Sequence, residues 1–357
     1  MRIGVVVHGP EAIDTGLAIQ VIDLLSNFGE VKAYVGGATG IIAVIDAGLE
    51  QRIDISRTEK PSEAISRLDP ESTHLILVNY CKREETGIAF GRAVASRAKI
   101  TKPLVQVDNN FVISWNADGE ELAREISDKL SKKIIVPTKN ENKTPPNVRR
   151  VVGVAKGENV WVNGTVIGRA KSEVVELYQG RDGKIQFSGV EVKEHVLNRL
   201  ENLDIEKAII RSGVIRRTSR EPRSMPTKKK KVVCIIDHDA ERLAHKFRDA
   251  SAVVTIGDDT TRVAGDLLSR YDIPIIGITD GDEDGICSDR NLAPGSVILT
   301  LEKGMDDVAA KVIKKQIFKD ENEIPFRSLN DLELMVMEAL SAVPTKSVER
   351  VPPRSDW

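Results

Sequence analysis

The sequence predicts an α/β protein: two Rossmann-like or flavodoxin-like parallel-sheet domains with a small antiparallel β unit between them. Three observations predict it. Short Val- and Ile-rich runs alternate with amphipathic stretches over the first third of the chain, and the same alternation returns from Val232. Between them the pattern changes to short alternating strands broken by glycine. Continuous apolar strands between helices mark a parallel sheet covered on both faces, whereas strict alternation marks a half-buried antiparallel one. A chain of 357 residues is also too long for one ordinary core.

The elements follow in order. Ile3–Val7 reads as a strand, Thr15–Phe28 as a helix and Val31–Val35 as a second strand. Gly36-Gly37-Ala38-Thr39-Gly40 then turns into a helix near Ile41–Gly48. Leu75–Tyr80 is a strand, Gly87–Ala98 a helix, Pro103–Val107 a strand and Glu120–Ser131 a closing helix. Pro137–Pro146 is rich in Lys, Asn, Thr and Pro and marks a linker. From Val148 to about Gly189, Asn163-Gly164 and Asp182-Gly183 are hairpin turns, because both residue types tolerate positive φ. Arg211–Lys231 is basic and reads as a solvated linker. Strands then recur at Val232–Ile236, Ala252–Ile256, Ile273–Thr279 and Ser296–Leu301. Helices fall at Ala240–Phe247, Thr260–Tyr271, Met305–Ile317 and Leu329–Ala342, before a polar tail.

These changes set the boundaries: an N-terminal α/β domain over 1–136, a β-rich unit with a helix over 147–210, and a basic linker over 211–231. A C-terminal α/β domain with Asp-rich loops covers 232–320, and a helix and tail cover 321–357.

Composition narrows the function classes. With 41% hydrophobic and 30% charged residues the chain is an ordinary globular protein. A net charge of −2 offers no global attraction to nucleic acid, and 4% aromatic residues supply few base-stacking platforms. No apolar run approaches the ~18 residues of a membrane span. The apolar N-terminus is too short for a signal peptide and stops at Pro10. Cys81, Cys234 and Cys287 form no CxxC pair, so the expected setting is the cytoplasm.

The residues that carry chemistry sit at strand ends. In the C-terminal domain three strands end in acids: Asp237-His238-Asp239, Gly257-Asp258-Asp259-Thr260-Thr261, and Asp280-Gly281-Asp282-Glu283-Asp284-Gly285. The carboxyl ends of parallel strands share one edge, where ligands bind. Clustered carboxylates repel one another, and a divalent cation relieves this, with oxygen ligands favouring Mg²⁺ and, less well, Ca²⁺. Asp258 and Asp280 are the first candidate ligands, followed by Asp282, Asp237 and Asp284. Asp258 and Asp259 also suit the cap of the helix they precede, and Asp-Gly pairs are common turns. Asp280-x-Asp282-x-Asp284-Gly285 begins like an EF-hand loop but has Asn291 where a glutamate is required.

Phosphate or another ligand would be met by Gly257, Thr260 and Thr261 at the start of that helix. In the first domain the candidates are His8, the Gly36, Gly37, Thr39 and Gly40 turn, and Lys82. Backbone N–H groups at a glycine-led helix start can cradle an anion. Cys81 reads as a small core residue or a nucleophile. Lys193-Glu194-His195 could do acid–base work at a helix start.

Gly257-Asp258-Asp259-Thr260-Thr261 resembles the strand–loop–helix of the phosphofructokinase and NAD-kinase group, in which Gly-Gly-Asp-Gly-Ser/Thr lies near nucleotide phosphates. Ile256 and Asp259 occupy the outer glycine positions here, so phosphate would approach only with a cation between. Ile278-Thr279-Asp280-Gly281-Asp282 is similar to the catalytic Thr-Ile-Asp-Asn-Asp of phosphofructokinases. The whole chain resembles an uncharacterised family, a domain of unknown function, of methanogenic and related archaea. That resemblance rests on Val7–Glu11, Val35–Gly40 with Val44–Leu49, Val162–Gly168, Gly257–Thr261 and Ile276–Asp282. It implies an archaeal, cytoplasmic protein and supplies no activity.

The expected function is Mg²⁺-dependent binding of a nucleotide or phosphorylated metabolite, with phosphoryl transfer or hydrolysis as the reaction if the protein is an enzyme. The alternative is a non-catalytic small-molecule sensor or assembly factor whose acidic loops are purely structural. Membrane and nucleic-acid partners are not expected, and a homo-oligomer is compatible with either reading.

Overall fold

A computed structural model describes the chain except residues 138–146, 152, 163–164, 181–183, 193–199, 201–202, 206–207, 209, 214–215, 217–219, 226, 238, 282–290 and 353–357. The protein is mixed α/β with parallel strands in two of its sheets. Contacts group the chain differently from its order in sequence. One unit comprises Met1–Gly36 with Glu50–Thr218, and the other Gly37–Leu49 with Ser219–Trp357. Among the described residues no helix is long and apolar enough to cross a membrane.

The first unit begins with β1 (Arg2–His8), α1 (Pro10–Asp14), α2 (Leu17–Ser26) and β2 (Glu30–Gly36). The helix expected from Thr15 is preceded by a separate short one because Gly16, at φ 83°, interrupts the path. The chain then makes α3 (Ala38–Ala47), which belongs to the second unit, and returns as β3 (Ile53–Asp54). Next come α4 (Pro61–Leu68), β4 (His74–Val78), α5 (Glu84–Arg97), β5 (Leu104–Val107), β6 (Phe111–Ser114), α6 (Glu120–Leu130) and β7 (Lys133–Ile135). The strands form one sheet in the order β3-β2-β1-β4-β5-β6-β7. It is parallel through β5, and β6 turns antiparallel. Ile3, Val5, Val6 and Val7 are all buried, as a strand covered on both faces requires.

The β-rich segment follows with β8 (Val148–Val151), β9 (Asn159–Val162), β10 (Thr165–Ala170), β11 (Val175–Gln179), β12 (Ile185–Ser188), β13 (Val190–Val192) and β14 (Ile210–Gly213). These make two antiparallel sheets, β13-β10-β9-β14 and β12-β11-β8, around Val151, Val160, Val162, Ile167 and Leu177. The Asn163-Gly164 and Asp182-Gly183 turns lie outside the described residues. So does most of the linker expected at Pro137–Pro146.

In the second unit come β15 (Val232–Asp237), α7 (Ala240–Leu243), β16 (Ala252–Ile256), α8 (Asp258–Arg270), β17 (Ile275–Thr279), β18 (Val297–Leu301) and α9 (Asp306–Ile313). A π-helical turn at Lys314–Phe318, β19 (Glu323–Pro325), α10 (Leu329–Ala339) and β20 (Thr345–Arg350) complete it. The sheet order is β19-β15-β16-β17-β18-β20, with four parallel strands between antiparallel edges. The expected polar tail therefore contributes an edge strand. Val233, Ile235, Val254, Ile256, Ile276, Ile278 and Leu299 share a core with α9 and α10 residues Ala309, Ile313, Leu332 and Val336. α3 packs against α7 and α8. On Gly277 a Cβ would come 2.5 Å from the Thr261 methyl, so only glycine admits α8 at that distance.

The basic stretch before β15 is exposed at Arg220–Ser224, Lys228, Lys230 and Lys231, and hydrogen bonds anchor it at a few points. The Arg223 guanidinium donates to the Ile45 carbonyl at 2.7 Å, Met225 N to the Arg270 carbonyl at 2.5 Å and Lys230 N to the Asp249 carbonyl at 2.6 Å.

Candidate functional site

In the second unit the acids stand at the carboxyl edge of neighbouring parallel strands. Asp237 pairs with Ile256 across β15 and β16, and Ile256 with Ile278 across β16 and β17. Asp258 and Asp280 are therefore level, each two residues beyond that rung. Gly257, at φ 97° and ψ 147°, leads directly into α8. That conformation belongs to glycine alone, which is why the turn carries one.

The Asp258 carboxylate accepts Asp280 N at 3.2 Å, and the Asp280 carboxylate, only 2% exposed, accepts Gly304 N at 2.8 Å. Asp237 is paired with Lys314 at 2.6 Å. Thr260 and Thr261 are buried in the first turn of α8, and the Thr261 hydroxyl bonds that of Thr255 at 2.9 Å. The structure thus brings Asp258 and Asp280 together. Asp282 and Asp284 lie outside the described residues, as do His238 and Lys193-Glu194-His195. Among the described residues no group of three or more His, Cys, Asp or Glu side chains is placed to hold a metal ion.

The Gly36–Gly40 turn has a similar shape. Gly36 ends β2, Gly37 leads α3 at φ 79° and ψ 149°, Thr39 is half-buried and Gly40 is buried.

In the first unit the carboxyl edge holds a different cluster. His8 ends β1, and its Nδ1 bonds the Asn79 side-chain oxygen at 2.9 Å. Its ring stacks on Phe90 with centroids 4.0 Å apart. Asn79 Nδ2 donates to Asp108 at 2.8 Å, and Gln106 Nε2 donates to the same oxygen at 2.9 Å. The other oxygen of this fully buried carboxylate accepts the backbone N–H groups of Cys81 at 2.7 Å and Asn109 at 2.8 Å.

Burial, reinforced by the Asp108 carboxylate, pushes the Cys81 thiol up to about 12, so the thiolate is suppressed. Burial pulls the Lys132 ammonium below its ordinary value, against the opposing charge of Asp108.

Lys82 is bound to Glu158 of the β-rich segment at 2.7 Å. Burial acts to raise the Glu158 carboxyl, but the Lys82 and Ala155 hydrogen bonds outweigh it and hold the group below its ordinary value. Arg216 grips Asp14 bidentately at 2.7 and 2.8 Å. Lys82 thereby joins the β-rich segment to the carboxyl edge of the first sheet, and Arg216 joins the stretch after β14 to the end of α1.

Asp108, Gln106 and Glu158 were not singled out in the sequence. For Asp108 the signal was present: like the other candidate acids it directly follows an apolar parallel strand.

Fold and site together define a mixed α/β protein whose parallel strands end in carboxylate and imidazole groups. The chain belongs to the DUF2117 family of uncharacterised proteins conserved in archaea, whose model matches residues 5–321. It is 39% identical over 336 residues to uncharacterized protein MJ0065 of Methanocaldococcus jannaschii, covering 89% of this chain and 92% of that one. No solved structure matches the chain.

Proposed function

We propose that the protein binds a nucleotide or phosphorylated metabolite through Mg²⁺ at the carboxyl edge of the second unit's sheet. The observation that carries this reading is the adjacency of Asp258 and Asp280 at the ends of neighbouring parallel strands, beside a glycine-led helix start. Mg²⁺ is commonly held by one or two carboxylates, with waters and ligand phosphates completing its octahedron. Two carboxylates at one edge suit that mode. The α8 N–H groups favour the phosphate, and the cation separates it from Asp258. Phosphoryl transfer or hydrolysis is the chemistry such a site serves.

The order β3-β2-β1-β4-β5 in the first unit supports a Rossmann-like reading of that sheet. Free Cys81 and Cys234 suit a reducing cytoplasm.

The test is thermal unfolding with Mg²⁺, Mn²⁺ or Ca²⁺, each alone and with a nucleotide panel. Ligand at a hundredfold excess over Kd adds about 2.7 kcal/mol to the stability of the native state. A nucleotide shift that requires metal, and that disappears in a folded Asp258→Asn variant, is expected. Absence of a shift with every combination overturns the reading.

A second reading is a non-catalytic sensor or assembly factor. The contacts of Asp237 with Lys314 and of Asp280 with Gly304 N favour it, since one carboxylate is engaged with the π-helical turn and the other with the turn before α9. On this reading Asp280→Asn lowers stability and leaves every ligand response unchanged.

A further inference from the structure

We propose that the amino edge of the second unit's sheet is a docking surface for double-stranded nucleic acid, held through its phosphates without regard to sequence. This edge is the end of the parallel strands opposite to Asp258 and Asp280. Three stretches of chain bring cations to it. Exposed Lys228, Lys230 and Lys231 lead into β15, exposed Lys246 and half-buried Arg248 sit in the turn before β16, and exposed Arg327 follows β19.

Hydrogen bonds hold the three stretches side by side. Thr227 Oγ1 donates to the Arg248 carbonyl and Lys230 N to the Asp249 carbonyl, each at 2.6 Å. Ser251 Oγ donates to the Lys230 carbonyl at 2.6 Å, and Phe326 N to the Lys231 carbonyl at 2.9 Å. Lys229, half-buried in the middle of the run, serves as an anchor, its ammonium donating to the Tyr271 carbonyl. The lysines therefore stand on fixed backbone, and less chain freedom is lost when they engage a partner than from a free tail. The acids that face these cations are Asp249, which pairs with Lys230 at 2.7 Å, then Asp272 and Glu323, and Asp331 in the first turn of α10. The cations outnumber them. A net charge of −2, summed over the whole chain, hides this local excess.

The chemistry of the surface selects the partner. Among the described residues, no exposed large apolar side chain lies within the three stretches. A helix or loop that anchors in a membrane surface inserts such side chains, and a protein interface is built around an apolar and aromatic centre. A nucleic-acid interface is polar and strongly positive, and draws its sequence-independent affinity from phosphates. Single strands are held by stacking on open aromatic rings. Phe247 is buried here and Phe326 packs on the core, so neither offers a platform. A duplex backbone is the partner that needs only the cations.

The experiment is fluorescence anisotropy of labelled duplex DNA and duplex RNA of mixed sequence, titrated with the full chain over a series of salt concentrations. Binding of at least one duplex is expected, weakening as salt rises because each phosphate contact releases counterions. The double variant Lys228→Ser with Lys231→Ser is expected to lower the slope of log K against log salt by about 2, which is about 1 for each lysine. Lys99→Ser with Lys129→Ser, at exposed positions of the first unit, makes the same change in net charge and is expected to leave the slope unchanged. Failure of the wild type to bind either duplex at low salt overturns the proposal, and so does an equal loss of slope in the two double variants. Vesicles of phosphatidylserine and phosphatidylcholine are the remaining probe. Binding to these without binding to a duplex also overturns it and makes the partner an anionic membrane. None of these outcomes depends on metal or nucleotide at the carboxyl edge.

Discussion

Arg270 and Asp46, 224 positions apart in the chain, form a bidentate ion pair at 3.1 and 3.0 Å. Their side chains are 1% and 0% exposed. Arg270 also binds Asp266 one helical turn back at 2.7 Å, and Arg223 N reaches Asp46 at 3.3 Å. The pair fastens α3 to α8 and so makes a segment from early in the chain part of the second unit.

Removing Asp46 leaves the buried Arg270 charge only partly compensated, by the partly exposed Asp266 carboxylate. Asp46→Ala is expected to destabilise by about 3–5 kcal/mol, read as a lower midpoint in urea. The double change Asp46→Leu with Arg270→Met removes both charges and is expected to recover much of that loss, because apolar replacements of buried pairs are often neutral.

Gly37→Ala isolates backbone strain. At φ +79° the residue has nothing within 4 Å of a built Cβ, so a methyl group meets no clash. The loss is then conformational, about 1–3 kcal/mol. Gly213→Ala is the comparison, since its Cβ would make an ordinary 3.9 Å contact with Trp161 without positive φ. Equal urea midpoints for the two variants would contradict the strain argument.

Native Cys81 is expected to react slowly with iodoacetamide at neutral pH, because burial and Asp108 push its thiol up to about 12. Asp108→Asn removes one of the two causes, so labelling should quicken in the folded variant. Fast labelling of the native wild type would show that the thiolate is accessible after all.

Asp69 gives the sign of an acid limb. Burial acts to raise its carboxyl, but the Thr101 backbone and hydroxyl groups and Lys102 N, at 2.7, 2.8 and 2.9 Å, hold it below 3.8. The lower folded value means that this contribution is full above the unfolded pKa and is lost as pH falls through the folded one. Thermal midpoints followed downward from about pH 5 should therefore fall less steeply in Asp69→Asn than in the wild type.

The sheets were legible because runs such as Ile3–Val7 and Val232–Ile236 are short and rich in β-branched residues, as strands buried on both faces are. Asp258 and Asp280 were legible as neighbours from the same logic, since each ends such a run. The Asp108 network was not: Asp108 directly follows an apolar strand as they do, but its partners Asn79, Cys81 and Gln106 are brought to it by tertiary packing that the sequence around it does not mark. Membership of α3 in the second unit was invisible for a different reason. An apolar helix shows what it must bury, not which partner buries it, and Asp46 shows no mark of its pairing with Arg270. The edge strand β20 was hidden by its composition: only Val348 of Thr345–Arg350 is apolar, as suits an exposed edge.

The wide separation of α3 from its partner also bears on how the protein is made. Eight of the ten residues of α3 are buried in the finished molecule, six of them Ala, Ile or Val. The ribosome must still add 224 residues before Arg270 exists. At about 5–20 residues per second that interval is roughly 11–45 s. A nascent chain carrying so apolar a helix for that long is a natural client for chaperones.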